Sequence, residues 1–258
     1  MTGSSAGTTV RRNVDWHVQY EQARKGDWRS SRLPMVEIFE TVEGEGTRAG
    51  YPTVFVRVFH CNLRCTWCDT PYSYAPAKPE FEASIGEIVD RVDRFGWHQV
   101  CLTGGEPLIH RHKSQLLIDA IASLPQIEDL HVETNGAIDV RPFAALREQS
   151  PELAAKLRFI VDYKLPSSGE QAQMVHEHLA ALSDRDEVKF VIADDHDFDT
   201  AVSVLAAYPT KAQVLFSPVW ESMPPHELVN RILQHRLSRV KLNLQIHKVI
   251  WDPNQRGV

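Results

Sequence analysis

The chain is poor in cysteine, carries no basic surplus, and has no long apolar run. Only 4 of its 258 residues are cysteine, and three of those, Cys61, Cys65 and Cys68, crowd together. Three clustered thiols leave an odd one among themselves, which argues for a reducing cytoplasm rather than a disulfide scaffold. Lysine and arginine number 28 against 34 acids, for a net charge of -6 and a pI of about 6.1. That balance leaves no footprint for nucleic acid. No apolar stretch is long enough to span a membrane, and the start, Met-Thr-Gly-Ser-Ser-Ala-Gly-Thr-Thr, lacks the apolar core of a signal peptide. With 43% hydrophobic and 24% charged residues, the chain can build one sizeable core. It would be a single barrel-like α/β domain or two small ones.

Apolar periodicity supplies the order of elements. Residues 1–13 are small and polar and read as disordered. A short helix is expected within Asp15–Arg32, making 1–34 an N-terminal extension and 35–258 the folded domain. Strands are expected at Met35–Val42, Thr53–His60, His98–Thr103, Asp129–Glu133, Arg158–Lys164, Val188–Ile192, Gln213–Ser217 and Val240–Ile246. Helices should begin at Ser84, where Glu87 completes a capping box and Gly96 ends the run. Others should carry Leu117, Ile121 and Leu124, cover 170–182 and 197–207, and span 225–236. The alternation predicts parallel βαβ units, and about six of them favour a partial (β/α)6 barrel, possibly reduced in helices, over a doubly wound sheet. Polar motifs follow strand C-terminal ends, which is the face that carries active sites in such barrels.

The sharpest motif is Cys61-Asn-Leu-Arg-Cys65-Thr-Trp-Cys68-Asp69-Thr70. Three thiolates after a strand suit an iron–sulfur cluster or a zinc ion, both of which take sulfur ligands. A structural zinc site wants a fourth protein ligand, and His60, adjoining the first cysteine, is poorly placed to be one. A cluster held by three cysteines leaves one iron open to a small molecule. Gly104-Gly105-Glu106-Pro107 reads on its own as a turn. Arg57, on an apolar strand, is costly unless it faces a carboxylate.

Together these motifs resemble the radical S-adenosylmethionine (SAM) superfamily. Within it, the run Glu37 to Gly46, Arg57, Cys68-Asp69-Thr70, Thr103-Gly-Gly-Glu-Pro107, Glu133-Thr-Asn-Gly136 and Gln245-Ile-His-Lys248 resemble the 7-carboxy-7-deazaguanine synthase family over residues 35–258. The resemblance implies a [4Fe–4S] cluster on Cys61, Cys65 and Cys68. It implies SAM lined by Trp67, Cys68, Asp69, Gly105, Asp162, Tyr163, Lys164 and Ser217, and magnesium on Thr70. It implies a pterin substrate against Val42, Glu43, Gly44, Arg57, Thr103, Glu133, Gln245, His247 and the carboxylate of Val258. No side chain is expected to act as acid or base; SAM supplies a 5′-deoxyadenosyl radical and is re-formed. The product would feed queuosine and other 7-deazapurines. Many members of the family carry Gln at the position of Glu43, and Glu lacks the amide donor. A flavodoxin-like electron donor and a homodimer are the further implications. Another radical SAM enzyme, such as a glycyl-radical-enzyme activase, is the alternative, and a zinc-stabilised binding module is the reading from a different class.

Some residues read as structural. Cys101 should be a small core residue. His110 and His112 carry no role, His176 and His178 should lie on a solvated helix surface, and Asp194-Asp-His-Asp197 should cap a helix.

Overall fold

The structure is a computed structural model that describes residues 16, 18–252 and 255–257. The expected disordered stretch 1–13 and Val258 lie outside the described residues. One sheet runs through the molecule. It contains β1 (Arg32–Val42), β2 (Pro52–Val58), β3 (Phe81–Ser84), β4 (Gln99–Gly104), β5 (Asp129–Thr134), β6 (Leu157–Tyr163), β7 (Glu187–Ile192), β8 (Gln213–Pro218) and β9 (Val240–Leu242). The strand order is β3-β1-β2-β4-β5-β6-β7-β8-β9, with the two ends unpaired, so the barrel is partial. From β2 through β4 to β9 every pairing is parallel.

Two departures from the expected parallel repeat occur at one edge. β1 is antiparallel to both β2 and β3, because the 43–51 connection is too short for a parallel crossover. β3 lies between Pro79 and α2, where no strand is expected from the sequence; it pairs with the outer edge of β1. At the other edge, β9 stops at Leu242 instead of reaching Ile246. Residues beyond it turn to the 43–46 segment: the Asn243 side chain accepts from Gly46 N at 2.7 Å, and Ile246 N donates to Gly44 O at 2.9 Å.

The helices are α1 (residues 18–24), α2 (Ile85–Phe95), α3 (His112–Ala122), α4 (Arg141–Ala144), α5 (Pro151–Lys156), α6 (Asp195–Ala207), α7 (Pro225–Gln234) and α8 (His247–Ile250). The Ser84–Glu87 capping box is formed in both directions, and Gly96 ends α2 with φ 73°, a left-handed conformation that glycine adopts at little cost. Asp194 caps α6 by accepting from Asp197 N at 2.9 Å. α4 and α5, between β5 and β6, have no counterpart in the sequence reading. In α1, Tyr20 is fully buried and its hydroxyl donates to Asp119 of α3 at 3.1 Å.

No α-helix covers 170–182; that segment holds only 3-10 turns at Gln171–Gln173 and Leu179–Ala181. Its residues are good helix formers, but tertiary contacts decide the outcome. Val175 N donates to Gly136 O at 3.1 Å, and Met174 Sδ accepts from Lys164 N at 3.1 Å. The segment is thereby drawn out along the loop after β5. His178 is consequently buried, not solvated.

Side chains alternate between the two faces of each strand. Val100, Leu102, Leu130, Val132, Phe159, Val161, Val188, Phe190 and Phe216 join the helices in one apolar core. The residues between them point the other way. Cys101, Asp129, His131, Arg158, Glu187 and Ser217 are buried and are joined by hydrogen bonds to partners on the inner face. The inner face of the partial barrel is thus lined by polar and charged groups. Among the described residues, no helix is long and apolar enough to cross a membrane.

Candidate active site

The cysteine loop leaves β2 at the sheet's C-terminal end. Gly104 and Gly105, at the end of β4, press against its root. An added Cβ on Gly104 would stand 2.3 Å from Val58 O, and one on Gly105 would stand 2.4 Å from His60 O and 2.8 Å from Cys61 Cβ. Glu106 then ties this end to β5. Its buried carboxylate accepts from Leu108 N at 2.9 Å, Thr134 Oγ1 at 3.0 Å and Asn135 N at 2.7 Å. Burial pushes its pKa up to about 7 against those donors. The loop's far side is held by Thr66 N, which donates to Ser168 O at 3.1 Å.

Cys61, Cys65 and Cys68 are all half-buried and free. Cys61 Sγ accepts from Leu63 N at 3.4 Å and from Asn135 Nδ2 at 3.6 Å, contacts that favour a thiolate. Burial raises the thiol pKa of Cys65 to about 11 and that of Cys61 in the same direction. Among the described residues, the one trio of candidate ligand atoms within 4.8 Å of one another is Glu43, Cys101 and His131. Cys61, Cys65 and Cys68 do not meet that limit as a trio; three free thiols on one loop are a donor set that suits an iron–sulfur cluster, whose irons take cysteine thiolates. The Glu43–Cys101–His131 trio is a hydrogen-bonded group. His131 Nε2 lies 2.6 Å from Glu43 Oε2, closer than two ligands at about 2 Å from one ion would stand.

Below the loop, the inner face is a chain of ion pairs. Lys164 Nζ lies 2.9 Å from Asp162 Oδ2, and Lys189 Nζ lies 2.8 Å from Glu45 Oε2 and 3.6 Å from Asp162 Oδ2. Burial works against the Glu45 charge, yet Lys189 and Gln245 hold its pKa down to about 2. Burial likewise works against the charge on His131, and Cys101, Glu43 and Asp129 overcome it and raise its pKa. Deeper still, Arg158 bridges Asp129 at 2.7 Å and Glu187 at 2.8 Å. The hydroxyl of Thr47 donates to Glu187. The 43–48 segment is therefore pinned to β5, β6, β7 and the chain beyond β9, and it lies across the interior. Asp162 Oδ1 is buried with no hydrogen-bond partner among the described residues.

Most of the expected site residues border this space. Thr103 Oγ1 donates to Glu133 at 2.9 Å, and burial raises the pKa of Glu133. Arg57 is paired with Glu37 on the neighbouring strand at 2.8 Å. Asn243 Nδ2 donates to Ser217 Oγ at 2.8 Å, and Gln245 Nε2 donates to Glu45 at 2.6 Å. The His247 ring, on α8 and not on a strand, closes so tightly on Gly44 that an added Cβ would stand 2.2 Å from Nδ1. Val42 ends β1 opposite Pro52. Trp67 is half-buried and Asp69 exposed, and Thr70 Oγ1 stands 3.8 Å from Cys68 Sγ. The Tyr163 side chain turns away into the apolar core, where it meets His176 at 3.1 Å, so it offers the interior only backbone. Cys101 is fully buried, as expected of a small core residue, but on the inner face, beside His131 and Glu43.

Sequence reasoning did not single out His131, Glu45, Lys189, Asn243 or the deep Asp129–Arg158–Glu187 bridge. The signal was the alternation itself: Asp129-x-His131-x-Glu133 puts charged or polar groups on one face of a strand whose other face is apolar.

Comparison with known proteins places this arrangement. Residues 56–159 match the Radical SAM superfamily model. The 7-carboxy-7-deazaguanine synthase of Clostridium acetobutylicum is 32% identical over 226 residues, covering 87% of this chain and 98% of that protein. That of Leptospira interrogans is 35% identical over 241 residues, covering 86% and 96%. The crystal structure of QueE from Escherichia coli superposes with a TM-score of 0.64 at 19% identity, over 89% of this chain and 97% of that one, which shows a shared fold. The chain belongs to the 7-carboxy-7-deazaguanine synthase family, a lyase family of the radical SAM superfamily.

Proposed function

We propose that the protein converts 6-carboxy-5,6,7,8-tetrahydropterin to 7-carboxy-7-deazaguanine and ammonia. The observation that carries this is the 43–48 segment, fastened across the inner face beside the cysteine loop. The paired charges gathered there, Glu45 and Asp162 with Lys189 and Lys164, suit a small heterocycle bearing a carboxylate and several N–H groups. Cys61, Cys65 and Cys68 would hold the cluster, which together with SAM would supply the radical chemistry.

The chain's own residues bind and orient. Gly105, the backbone of Trp67 to Asp69, Asp162 to Lys164, and Ser217 line SAM, and the unpartnered Asp162 Oδ1 is an acceptor for its amino or ribose groups. Arg57 reaches the substrate carboxylate with the guanidinium edge that Glu37 leaves free. Thr103 and Glu133 take the pterin ring edge, and the protonated form of Glu133, favoured by burial, can donate as well as accept. Val42, Glu43 and Gly44 form the floor, with Gln245 and His247 as the wall. Glu43 offers acceptors only, and His131 holds it in place. Thr70 would offer a hard oxygen to a magnesium ion. The tail returns to this side: Arg256 lies 3.7 Å from the Tyr72 ring centroid, which supports a role for the Val258 carboxylate in closing the pocket.

A flavodoxin-like protein is the proposed reductant and the cytoplasm the proposed location. Residues 35–258 are proposed as the catalytic domain, with 1–34 as an extension. Exposed Leu233, Val249 and Ile250 near the β9 edge support a homodimer. Reconstituted protein given SAM, magnesium, reductant and the carboxytetrahydropterin should release the deazapurine. SAM cleavage with no deazapurine would favour the activase-like alternative.

A further inference from the structure

Lys189 belongs to neither flank of the site alone. Its ammonium is 2.8 Å from Glu45 and 3.6 Å from Asp162, and the side chains of Lys189, Glu45 and Asp162 are 12%, 14% and 20% exposed. Glu133 also acts on it, and Asp162 is shared with Lys164. One positive charge therefore serves two acids, one on each side of the space. At such low exposure, a charge arriving at one acid is felt strongly at the other.

The two acids differ in what they hold. Asp162 has a free buried oxygen, the feature of an acid that awaits a ligand. Glu45 is the anchor of the 43–48 segment. Besides Lys189 it accepts from Gln245 at 2.6 Å and from Asn243 at 3.2 Å, and its neighbour Gly46 N donates to the same Asn243. A cationic ligand settling on Asp162 competes with Lys189 for that carboxylate. The lysine has a flexible stem and three donors, so it answers by shifting its contacts to Glu45. The anchor of the 43–48 segment tightens as a result.

We infer that Lys189 is a positioning residue that couples the two halves of the site: a cationic ligand at Asp162 strengthens binding of the second ligand on the 43–45 floor. The inference rests on the proposed placement of SAM, with its amino and sulfonium charges, at Asp162–Lys164 and of the pterin on Val42–Gly44. Linkage makes the effect reciprocal, so the pterin must tighten SAM by the same factor.

The test uses anaerobic calorimetry on the cluster-loaded protein without reductant, so that no turnover occurs. The dissociation constant of the carboxytetrahydropterin is measured with and without saturating SAM, and that of SAM with and without the pterin. The expected result is a mutual tightening of about fivefold or more. In Lys189→Met each ligand should still bind, but the factor should fall to about one; Lys189→Arg should restore part of it. Glu45→Gln keeps the lysine and removes one end of the bridge, and should also uncouple the ligands, which covers the case that Lys189→Met does not fold. Undiminished coupling in Lys189→Met or Glu45→Gln overturns the inference, as does independent binding of the two ligands in the unaltered protein. Failure of the unaltered protein to bind SAM or the pterin at all overturns the functional reading, and this inference with it.

Discussion

Gly105→Ala tests whether the β4 turn shapes the cluster loop. The new methyl would lie 2.4 Å from His60 O, 2.7 Å from His60 C and 2.8 Å from Cys61 Cβ. Ordinary contact begins near 3.4 Å, so the carbonyl must retreat by about 1 Å, a distance at which an overpacked site shifts its backbone. It is not free to do so. His60 O accepts from Glu106 N at 2.7 Å, His60 N donates to Ser73 O at 2.8 Å, and His60 already has φ 87°. Overpacking of this kind costs about 1–3 kcal/mol, or roughly 2–4 °C of melting temperature per kcal/mol at this chain length. The displaced group is the residue before the first cluster cysteine, so iron and sulfide content after anaerobic reconstitution should fall along with stability. Gly96→Ala is the control. It also forces a side chain into a left-handed conformation, at φ 73°, but meets no atom within 4 Å. It should cost about 1 kcal/mol and leave iron content unchanged. Full iron loading and an unchanged SAM-induced spectrum in Gly105→Ala would refute the reasoning.

Cys65→Ala should lose the cluster while Cys101→Ala keeps it, as read by iron and sulfide assay. Thr70→Val should leave SAM binding intact but weaken the magnesium dependence of turnover, since valine offers no oxygen; an unchanged magnesium titration would remove Thr70 from the metal site. Burial lowers the pKa of His178 from 6.5 to about 4, so between those values the folded state holds fewer protons than the unfolded one. Stability is therefore full above pH 6.5 and declines as the pH falls towards 4, by up to about 3 kcal/mol. His178→Leu should flatten that decline in urea titrations, leaving the part due to His110, which burial also lowers to about 4. Deleting 254–258, or extending the C-terminus with a tag, should raise the KM for the pterin or stop turnover while SAM still perturbs the cluster spectrum.

The parallel strands, the α2 cap and the cysteine loop were legible because each is local. Ser84 and Glu87 are three residues apart, and strand alternation repeats every two. The 170–182 segment misled because its local pattern is helical, while Met174 and Val175 answer to Gly136 and Lys164 across the fold. His131 was passed over, and the setting of Cys101 was not foreseen, for a related reason. Alternation says which residues share a face, but not that the shared face of this sheet is the polar one. That became visible only when the 43–48 segment brought Glu43, Glu45 and Thr47 to it. Lys189, the centre of the resulting charge chain, sits in Val188-Lys-Phe-Val-Ile192, where a single lysine in a strand looks like any solvent-facing one.

The fastening of the 43–48 segment also sets a timetable for synthesis. Gly46 meets Asn243 across 197 positions, and Glu45 meets Gln245 across 200. Cys68 leaves the ribosome 175 residues before Asn243, by subtraction of their positions. At about 5–20 residues per second that is a lag of roughly 10–35 s. During this interval the three thiols and the floor residues are present, but the floor's last anchors, Asn243 and Gln245, are not. Contacts of such span also form slowly once the chain is complete. The cysteine loop thus spends that interval beside a floor that is present but not yet fastened at its far end.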